Sequence, residues 1–175
     1  MRSIRSLWWR EFLEDRIGGI GRVKSLVIFM GLFLINSVAF SQELGDFRPG
    51  SEPDGFRGIK WGTNISTLKD MVFLMAIEKN VKRYERKADE LKIGKAKLDY
   101  IHYEFRNGKF YLVEMWFHGI ENFNHAKEVM FETYGRGRNM SEKTESYFWE
   151  GEKTDMIMIF DADMGGGITI SSKEF

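Results

Sequence analysis

Hydrophobic and polar residues alternate along several segments after residue 56, and this pattern predicts β-strands more often than helices. Residues 98–105 and 109–117 alternate with a period of two and flank Asn107-Gly108, a pair that is typical of a tight hairpin. Residues 155–160 are apolar on both faces, which predicts a central strand. Further strands are expected over 146–151 and 167–172, together with an exposed or edge strand over 81–92.

The register of the predicted hairpin follows from the need to bury one face. A two-residue loop would set Ile101 opposite Glu114 and would mix apolar and charged side chains on each face. A three-residue loop with a glycine bulge shifts the pairing by one residue, and such a shift moves every side chain to the other face. We therefore expect the second register, which gathers these residues on one core face: Ile101, Tyr103, Phe105, Tyr111, Val113, Met115 and Phe117.

Two segments resemble each other and predict two helices. Residues 64–73 align without gaps with residues 122–131, and both begin with an asparagine, which is a favourable helix N-cap. Apolar residues recur at helical spacing in each copy, and Gly135 is suited to end the second helix. The similarity indicates an internal duplication, although amphipathic helices also resemble one another by chance. The expected fold is α+β, a mostly antiparallel sheet with two helices packed on one face in the order β-α-β-β-β-α-β-β-β.

The first 41 residues have the pattern of an export signal. Residues 25–40 are apolar and uncharged, Arg22 and Lys24 precede them, and small residues at 39 and 41 suit cleavage before Gln42. The alternative is an uncleaved N-terminal anchor, in which case membrane contact is expected through this segment only. The signal predicts that the mature chain works in the periplasm or is secreted.

Residues 1–22 fit a leader poorly because they carry three acidic residues. One hypothesis is that translation begins at Val23, and the alternative is a genuine extended leader. Residues 42–55 hold both prolines of the chain and predict a flexible lead-in. A single α+β domain is then expected over 56–175.

Composition and charge exclude several classes of protein. The chain has 175 residues, of which 43% are hydrophobic and 15% aromatic, and this is ample for a packed core. Six basic and three acidic residues lie within 1–41, so the remainder carries 20 basic and 23 acidic residues, which argues against a nucleic-acid partner. The absence of cysteine excludes disulfides, thiolate nucleophiles and cysteine-based zinc sites. No cofactor is expected.

Candidate functional residues lie on the hairpin face opposite the predicted core. Histidine and glutamate on adjacent strands suit metal binding or acid–base catalysis, whereas exposed tyrosine and tryptophan suit contact with a partner. The alternative is a solvated sheet face with cross-strand charge pairs. We do not expect a metal site. The candidate binding residues are Tyr100, His102, Glu104, Glu114, Trp116 and His118.

Five runs within 56–172 carry scattered glycine and aromatic positions: FRGIKWGT, YERKADELKIGKAKLDYIHYEF, GKFYLVEMWFHGIENF, YGRGR and FWEGEKT. In these runs the chain resembles a family of small exported proteobacterial proteins of unknown function, and the resemblance implies no activity or site residues. The predicted architecture is also similar to small periplasmic interaction domains, such as outer-membrane assembly lipoproteins and secreted inhibitor proteins. The chain lacks the lipobox cysteine and the disulfides of those proteins.

These observations favour a non-enzymatic interaction domain that binds a protein or another envelope component through an aromatic-rich sheet face. One alternative is a metal-dependent or hydrolytic envelope enzyme that uses His102, Glu104, Glu114 and His118. The other is a small-ligand carrier, expected if the sheet curls around a cavity lined by Trp116, Trp149 and Met158.

Overall fold

A computed structural model describes residues 45–141 and 144–175. This part of the chain forms twelve strands, one α-helix (α1, Ile120–Tyr134) and a 3₁₀ helix (Ile65–Thr67). The strands are β1 Gly55–Phe56, β2 Ile59–Lys60, β3 Met71–Glu78, β4 Val81–Arg86, β5 Lys92–Ile93, β6 Ala96–Lys97, β7 Tyr100–Arg106, β8 Lys109–Phe117, β9 Arg138–Asn139, β10 Glu145–Glu150, β11 Thr154–Asp161 and β12 Gly165–Ser172. The predicted export signal, the start at Val23 and residues 42–44 lie outside the described residues.

Eight strands form one antiparallel sheet in the order β3-β4-β7-β8-β12-β11-β10-β9. The prediction of a mostly antiparallel sheet is therefore confirmed. The chain leaves the sheet after β8, forms α1, and returns through β9, β10 and β11 so that β12 pairs with β8. Two short hairpins, β1–β2 and β5–β6, stand apart from this sheet. Neither helix of the described part is long and apolar enough to span a membrane.

The core lies between one face of the sheet and helix α1. Successive side chains of a strand point to opposite faces, so the residues of each strand that share a parity share a face. Phe123, Ala126 and Met130 bury one side of α1 against this face, at the helical spacing that the sequence predicts. The buried strand residues around them include Ile101, Tyr103, Phe105, Phe110, Val113, Met115, Phe117, Trp149, Met156, Met158, Ile168 and Ile170.

Helix α1 confirms the second predicted helix with an earlier start. Gly119 rather than Asn122 is the N-cap, and Gly135 ends the helix at φ 87° with its N–H donating to the Phe131 carbonyl. The Asn122 side chain instead accepts from the Lys97 N–H and donates to the His118 carbonyl, so it ties the helix to neighbouring segments.

The hairpin between β7 and β8 has the predicted pairing of strand residues, but the predicted cause of that pairing is wrong. Ile101 lies opposite Met115, as expected, but Arg106 lies opposite Lys109, so the loop has two residues. Asn107 (φ 51°) and Gly108 (φ 78°) both occupy the left-handed region that such a turn requires.

The shift of one residue comes from a bulge inside β8 rather than from the loop. The paired positions change between Glu104 and Phe105, which leaves Tyr111 as the extra residue of β8. The bulge places Phe110 in the core and turns Tyr111 toward Glu104 on the other face. The prediction that Tyr111 belongs to the core face is therefore wrong.

The first predicted helix is wrong. Asn64 does act as an N-cap, since its Oδ1 accepts from the Ser66 N–H at 3.0 Å, but the helix ends after one 3₁₀ turn. Residues 71–78 form strand β3 and pair with β4, so the duplication is not confirmed. A short apolar run has no periodicity that separates strand from helix, and a short isolated helix is marginal in water. Here the backbone pairing with β4 stabilises residues 71–78 as a strand rather than a helix.

Strand β3 is the outer edge of the sheet beside β4. Its pairing with β4 is interrupted twice, between Phe73 and Met75 and between Ala76 and Glu78. The predicted edge strand, β4, is an inner strand between β3 and β7, and Val81 and Arg83 are buried on it. Each interruption is a bulge that adds one unpaired residue to β3, and bulges bend the strand that contains them.

The described part of the predicted flexible lead-in is anchored to the domain. Phe47 joins the core, where its ring packs edge-on against Tyr134 at 5.9 Å. The carboxylate of Glu52 accepts hydrogen bonds from the Lys153 and Thr154 amides at 2.6 and 2.8 Å. The fixed structure therefore begins before residue 56.

Candidate functional site

Five of the six candidate residues lie together on the sheet face opposite α1. Tyr100, His102 and Glu104 lie on β7, and Glu114 and Trp116 lie on β8. Tyr100 is paired with Trp116 and His102 with Glu114 across the two strands. The alternation that the sequence shows thus places these five residues on one surface, as predicted.

His118 lies apart from this group. It follows the last residue of β8 and is half exposed, and its Nδ1 lies 2.5 Å from Oδ2 of Asp99. The structure therefore does not assemble His118 with Glu104 and Glu114 into one site.

A buried arginine that the sequence analysis missed lies at the centre of the group. Arg83 on β4 donates from Nε and Nη2 to Oε1 of Glu104, at 3.1 and 2.5 Å. Its Nη2 also lies 3.0 Å from Oε2 of Glu114, although the two are poorly aligned for a hydrogen bond. Tyr111 donates its hydroxyl to Oε2 of Glu104 at 2.8 Å. The guanidinium therefore links two strands through two carboxylates.

The three charged side chains of this cluster are nearly inaccessible to solvent, with 7%, 5% and 8% of Arg83, Glu104 and Glu114 exposed. Burial opposes the charged guanidinium, but the attraction of Glu114 and Glu104 outweighs it and raises the pKa of Arg83 above its ordinary value. One positive and two negative groups leave the trio with a formal charge of −1. Attraction between opposite charges offsets the cost of burying them, so removal of the cation would destabilise the folded protein.

His102 lies beside the cluster without joining it by a hydrogen bond. Its ring stacks on Tyr100 at 4.0 Å and an angle of 15°. Its Nε2 is 3.5 Å from Glu85, and its Nδ1 is 3.8 Å from Oε2 of Glu114. Both distances suit long-range attraction more than a direct hydrogen bond.

Burial corrects the expectation of a solvated sheet face. Glu104, Glu114 and Trp116 are all buried, so the solvated alternative is wrong for these residues. Arg83 already compensates the carboxylates that the enzyme alternative would use. Within residues 45–141 and 144–175, no group of three or more histidine or acidic side chains is placed to hold a metal ion.

Arg83 was missed because residues 78–90 carry dense charges of both signs, which is typical of a solvated strand. One available signal was the presence of Glu104 and Glu114 on the same face of neighbouring strands. Two carboxylates that become buried side by side require a cation, and the next strand has to supply it.

The three residues expected to line a carrier cavity do not share a cavity. Trp149 and Met158 are fully buried in the core with α1, and the indole N–H of Trp149 donates to the Gly135 carbonyl at 2.8 Å. Trp116 lies on the opposite face of the sheet. The sheet itself separates them.

The accessible apolar surface lies instead on β3. Seven large hydrophobic side chains are exposed in the described part of the chain, and four of them are consecutive on this strand. We call these four the β3 patch: Val72, Phe73, Leu74 and Met75, which are 40%, 53%, 37% and 40% exposed. Because side chains alternate along a strand, the patch covers both sides of this edge: Phe73 lies beside Tyr84 on the α1 side, and Val72 and Met75 lie on the side of Arg83. Apolar exposure of this extent along one edge is typical of interaction sites.

A cavity of about 410 Å³ lies near the end of β3. Its apolar lining includes Tyr84 and Phe105, whose rings meet edge-on at 5.2 Å, and Phe73 of the β3 patch meets Tyr84 edge-on at 5.6 Å. Its polar lining includes Lys79 and Lys82. The cavity is therefore joined to the β3 patch through an aromatic ring.

The described part of the chain thus offers one closed charged cluster, which is suited to holding strands together, and one open surface, which is suited to contact. Comparisons with protein-family models, with curated proteins and with solved structures find no significant match to this chain.

Proposed function

We propose that this chain is an exported, non-enzymatic binding domain that contacts a protein partner through the β3 patch. The observation that carries the proposal is the run of four consecutive exposed apolar side chains on an edge strand. The aromatic sheet face favoured by the sequence is a poorer contact surface, because Trp116 and both glutamates are buried there.

A partner that wraps around the edge of β3 and covers both sides of the patch would gain useful binding energy. Full burial of one large apolar side chain contributes roughly 1.5–3 kcal/mol, so covering the exposed 37–53% of four such side chains contributes on the order of 3–5 kcal/mol. The ordering of both partners opposes part of this gain. The patch is therefore suited to a reversible contact that charge pairs strengthen.

The charges around the patch favour a partner with acidic groups. Lys69 precedes β3, Lys79 follows it, and Lys82 lies on the neighbouring strand, all three exposed. They outnumber the exposed acids of these two strands, Glu78 and Glu85. None of these ammonium groups forms an ion pair within the described ranges, whereas Arg86 nearby is paired with Asp70 at 2.5 Å. We infer a partner segment that presents apolar side chains beside carboxylates.

The contact side chains lie outside the core and can be changed while the core stays intact. Replacing Phe73 and Leu74 by serine also removes the half or so of each side chain that is buried, so stability should fall by roughly 2–3 kcal/mol, and binding is compared under conditions in which both proteins are folded. Leu91→Ser is a matched control, since Leu91 is 46% exposed and lies outside the patch.

The test is selection of short random peptides displayed on phage against the protein as isolated from expressing cells. We expect enrichment of sequences that combine apolar and acidic residues, with binding weakened about tenfold or more by Phe73→Ser/Leu74→Ser and unchanged by Leu91→Ser. Failure to enrich any sequence, or equal binding to the double variant, would contradict the contact surface.

Export is tested separately by fractionating bacterial cells that express the whole chain. The apolar run of residues 25–40 and the small residues before Gln42 support a mature chain that begins at Gln42 in the periplasm or the medium. A cytosolic protein that retains residues 1–41 would refute this part of the proposal. Recovery of peptides from residues 1–22 would refute a start at Val23.

A further inference from the structure

We propose that the cavity at the end of β3 binds the C-terminal carboxylate of the partner's chain, with the last apolar side chain of that partner on the aromatic lining. This inference rests on the proposed function, because it specifies which part of a protein partner reaches the β3 patch. It adds a ligand-binding site formed by Lys79, Lys82, Tyr84 and Phe105.

The cavity has one cationic side and one aromatic side. Lys79 and Lys82 bring two ammonium groups that form no ion pair with any described residue, and the amides of Asn80 and Asn107 add polar groups to the same lining. A carboxylate placed between these groups would gain charge-assisted hydrogen bonds, which are the stronger class. The volume of about 410 Å³ lies within the range of cavities that hold small ligands or single side chains with their backbone.

Two turns line the cavity at one end and favour a chain terminus over an internal acidic residue. The β3–β4 turn and the β7–β8 turn are joined by a hydrogen bond from the Asn107 N–H to the Asn80 carbonyl at 2.8 Å. The 3₁₀ helix is fixed to the same wall, since the Ile65 N–H donates to the Gly108 carbonyl at 2.9 Å. A partner's chain terminus can place its carboxylate against these joined turns without having to continue past them.

The aromatic lining provides the link between the two parts of the site. Phe105 is almost completely buried, Tyr84 is half-buried, and Phe73 is exposed, so the three rings form a continuous path from the cavity to the patch. A partner with an aromatic or branched residue at its end can cover this path while its carboxylate reaches Lys79 and Lys82.

The experiment compares two peptides of sequence Gly-Ser-Gly-Leu-Val-Phe, one with a free carboxylate and one with a C-terminal amide. Binding to the isotope-labelled protein is followed by amide chemical shifts. We expect the acid to bind about tenfold more tightly than the amide and to shift the signals of Asn80, Lys82 and Asn107. Lys79→Ala/Lys82→Ala should reduce the affinity of the acid to that of the amide.

Lys95→Ala is the matched control, because Lys95 is exposed and lies outside the cavity. Equal affinity of acid and amide would overturn the carboxylate site, and an equal effect of Lys95→Ala would do the same. Dodecanoate serves as the second probe: if it occupies the cavity while the peptide acid does not, the ligand is a free long-chain carboxylate and the inference is wrong. An amide peptide that still shifts Phe73 and Leu74 would leave the proposed function standing while the carboxylate site fails.

Discussion

The buried cation of the Arg83 cluster should be far more important for stability than either of its carboxylate partners taken alone. Arg83→Met keeps the length and apolar stem of the side chain but leaves Glu104 and Glu114 next to each other in a site that is almost closed to solvent. Removal of one partner from a buried charge pair costs about 3–5 kcal/mol. Two uncompensated carboxylates place Arg83→Met at the upper end of that range.

Two matched variants separate charge compensation from packing. Glu114→Gln leaves Arg83 and Glu104 as a neutral pair that keeps both hydrogen bonds, so we expect a cost of less than about 2 kcal/mol. The triple variant Arg83→Met/Glu104→Gln/Glu114→Gln carries no buried charge. It should therefore recover about half or more of the stability that Arg83→Met loses.

Urea unfolding followed by circular dichroism and linear extrapolation measures these differences at pH 7. The expected order, from most to least stable, is wild type, Glu114→Gln, triple variant, Arg83→Met. A cost of less than about 1 kcal/mol for Arg83→Met would mean that the cluster is solvated like a surface pair. A triple variant as unstable as Arg83→Met would mean that packing, and not charge, decides the effect.

Three further predictions concern other parts of the domain. Burial and the hydrogen bond to Asp89 raise the pKa of Tyr103 above its ordinary value of 10.0, so the folded state favours the neutral phenol. The stabilisation that Tyr103 contributes is therefore fully present below pH 10.0 and is lost as the pH rises above that value. Tyr103→Phe should flatten that loss in urea unfolding between about pH 9 and 11, at a cost near neutral pH of about 1 kcal/mol, and an unchanged alkaline slope would contradict this assignment. Trp149→Phe removes the donor to the Gly135 carbonyl and part of the core volume, so thermal unfolding should report a loss of about 2–4 kcal/mol; a loss below about 1 kcal/mol would show that the site refills. Gly108→Ala places a side chain at φ 78°, which should cost about 1–2 kcal/mol by urea unfolding, and full stability would mean that the turn changes type.

Much of the sheet could be predicted from the sequence because its strands alternate clearly. The alternation of 98–105 and 109–117 around Asn107-Gly108 is sufficient to identify the hairpin, the opposition of Ile101 and Met115, and the core face except at Phe110 and Tyr111. The position of the extra residue was not predictable, since a bulge in the loop and a bulge at Tyr111 produce the same pairing farther along the strands. Only the turn geometry distinguishes them.

The error over 64–75 has a different physical origin. Asn64 is a genuine cap, and the apolar spacing after it suits a helix, yet those residues also suit a strand. The decision depends on β4, which lies close in sequence and supplies a full set of backbone partners for residues 71–78. Local propensity carries no information on that competition.

The sequence predicts the positions of the candidate site residues on the sheet, but not how far they are buried. Tyr100, His102, Glu104, Glu114 and Trp116 were expected on one surface, and they lie on one surface. Their burial depends on what covers a sheet face, and no alternation pattern within two strands reports that. The β3 patch was missed for the same reason as the strand itself, because this part of the chain was assigned to a helix.

The two interruptions of β3 have a consequence for solubility. An exposed apolar edge ordinarily invites the edge of a second molecule to extend the sheet, and repetition of that step produces fibrils. Extension requires main-chain donors and acceptors at regular intervals, and the irregularities between Phe73 and Met75 and between Ala76 and Glu78 break that interval twice. The domain can therefore expose apolar side chains on its edge strand, while the backbone of that strand is poorly suited to pair with a strand of a second molecule.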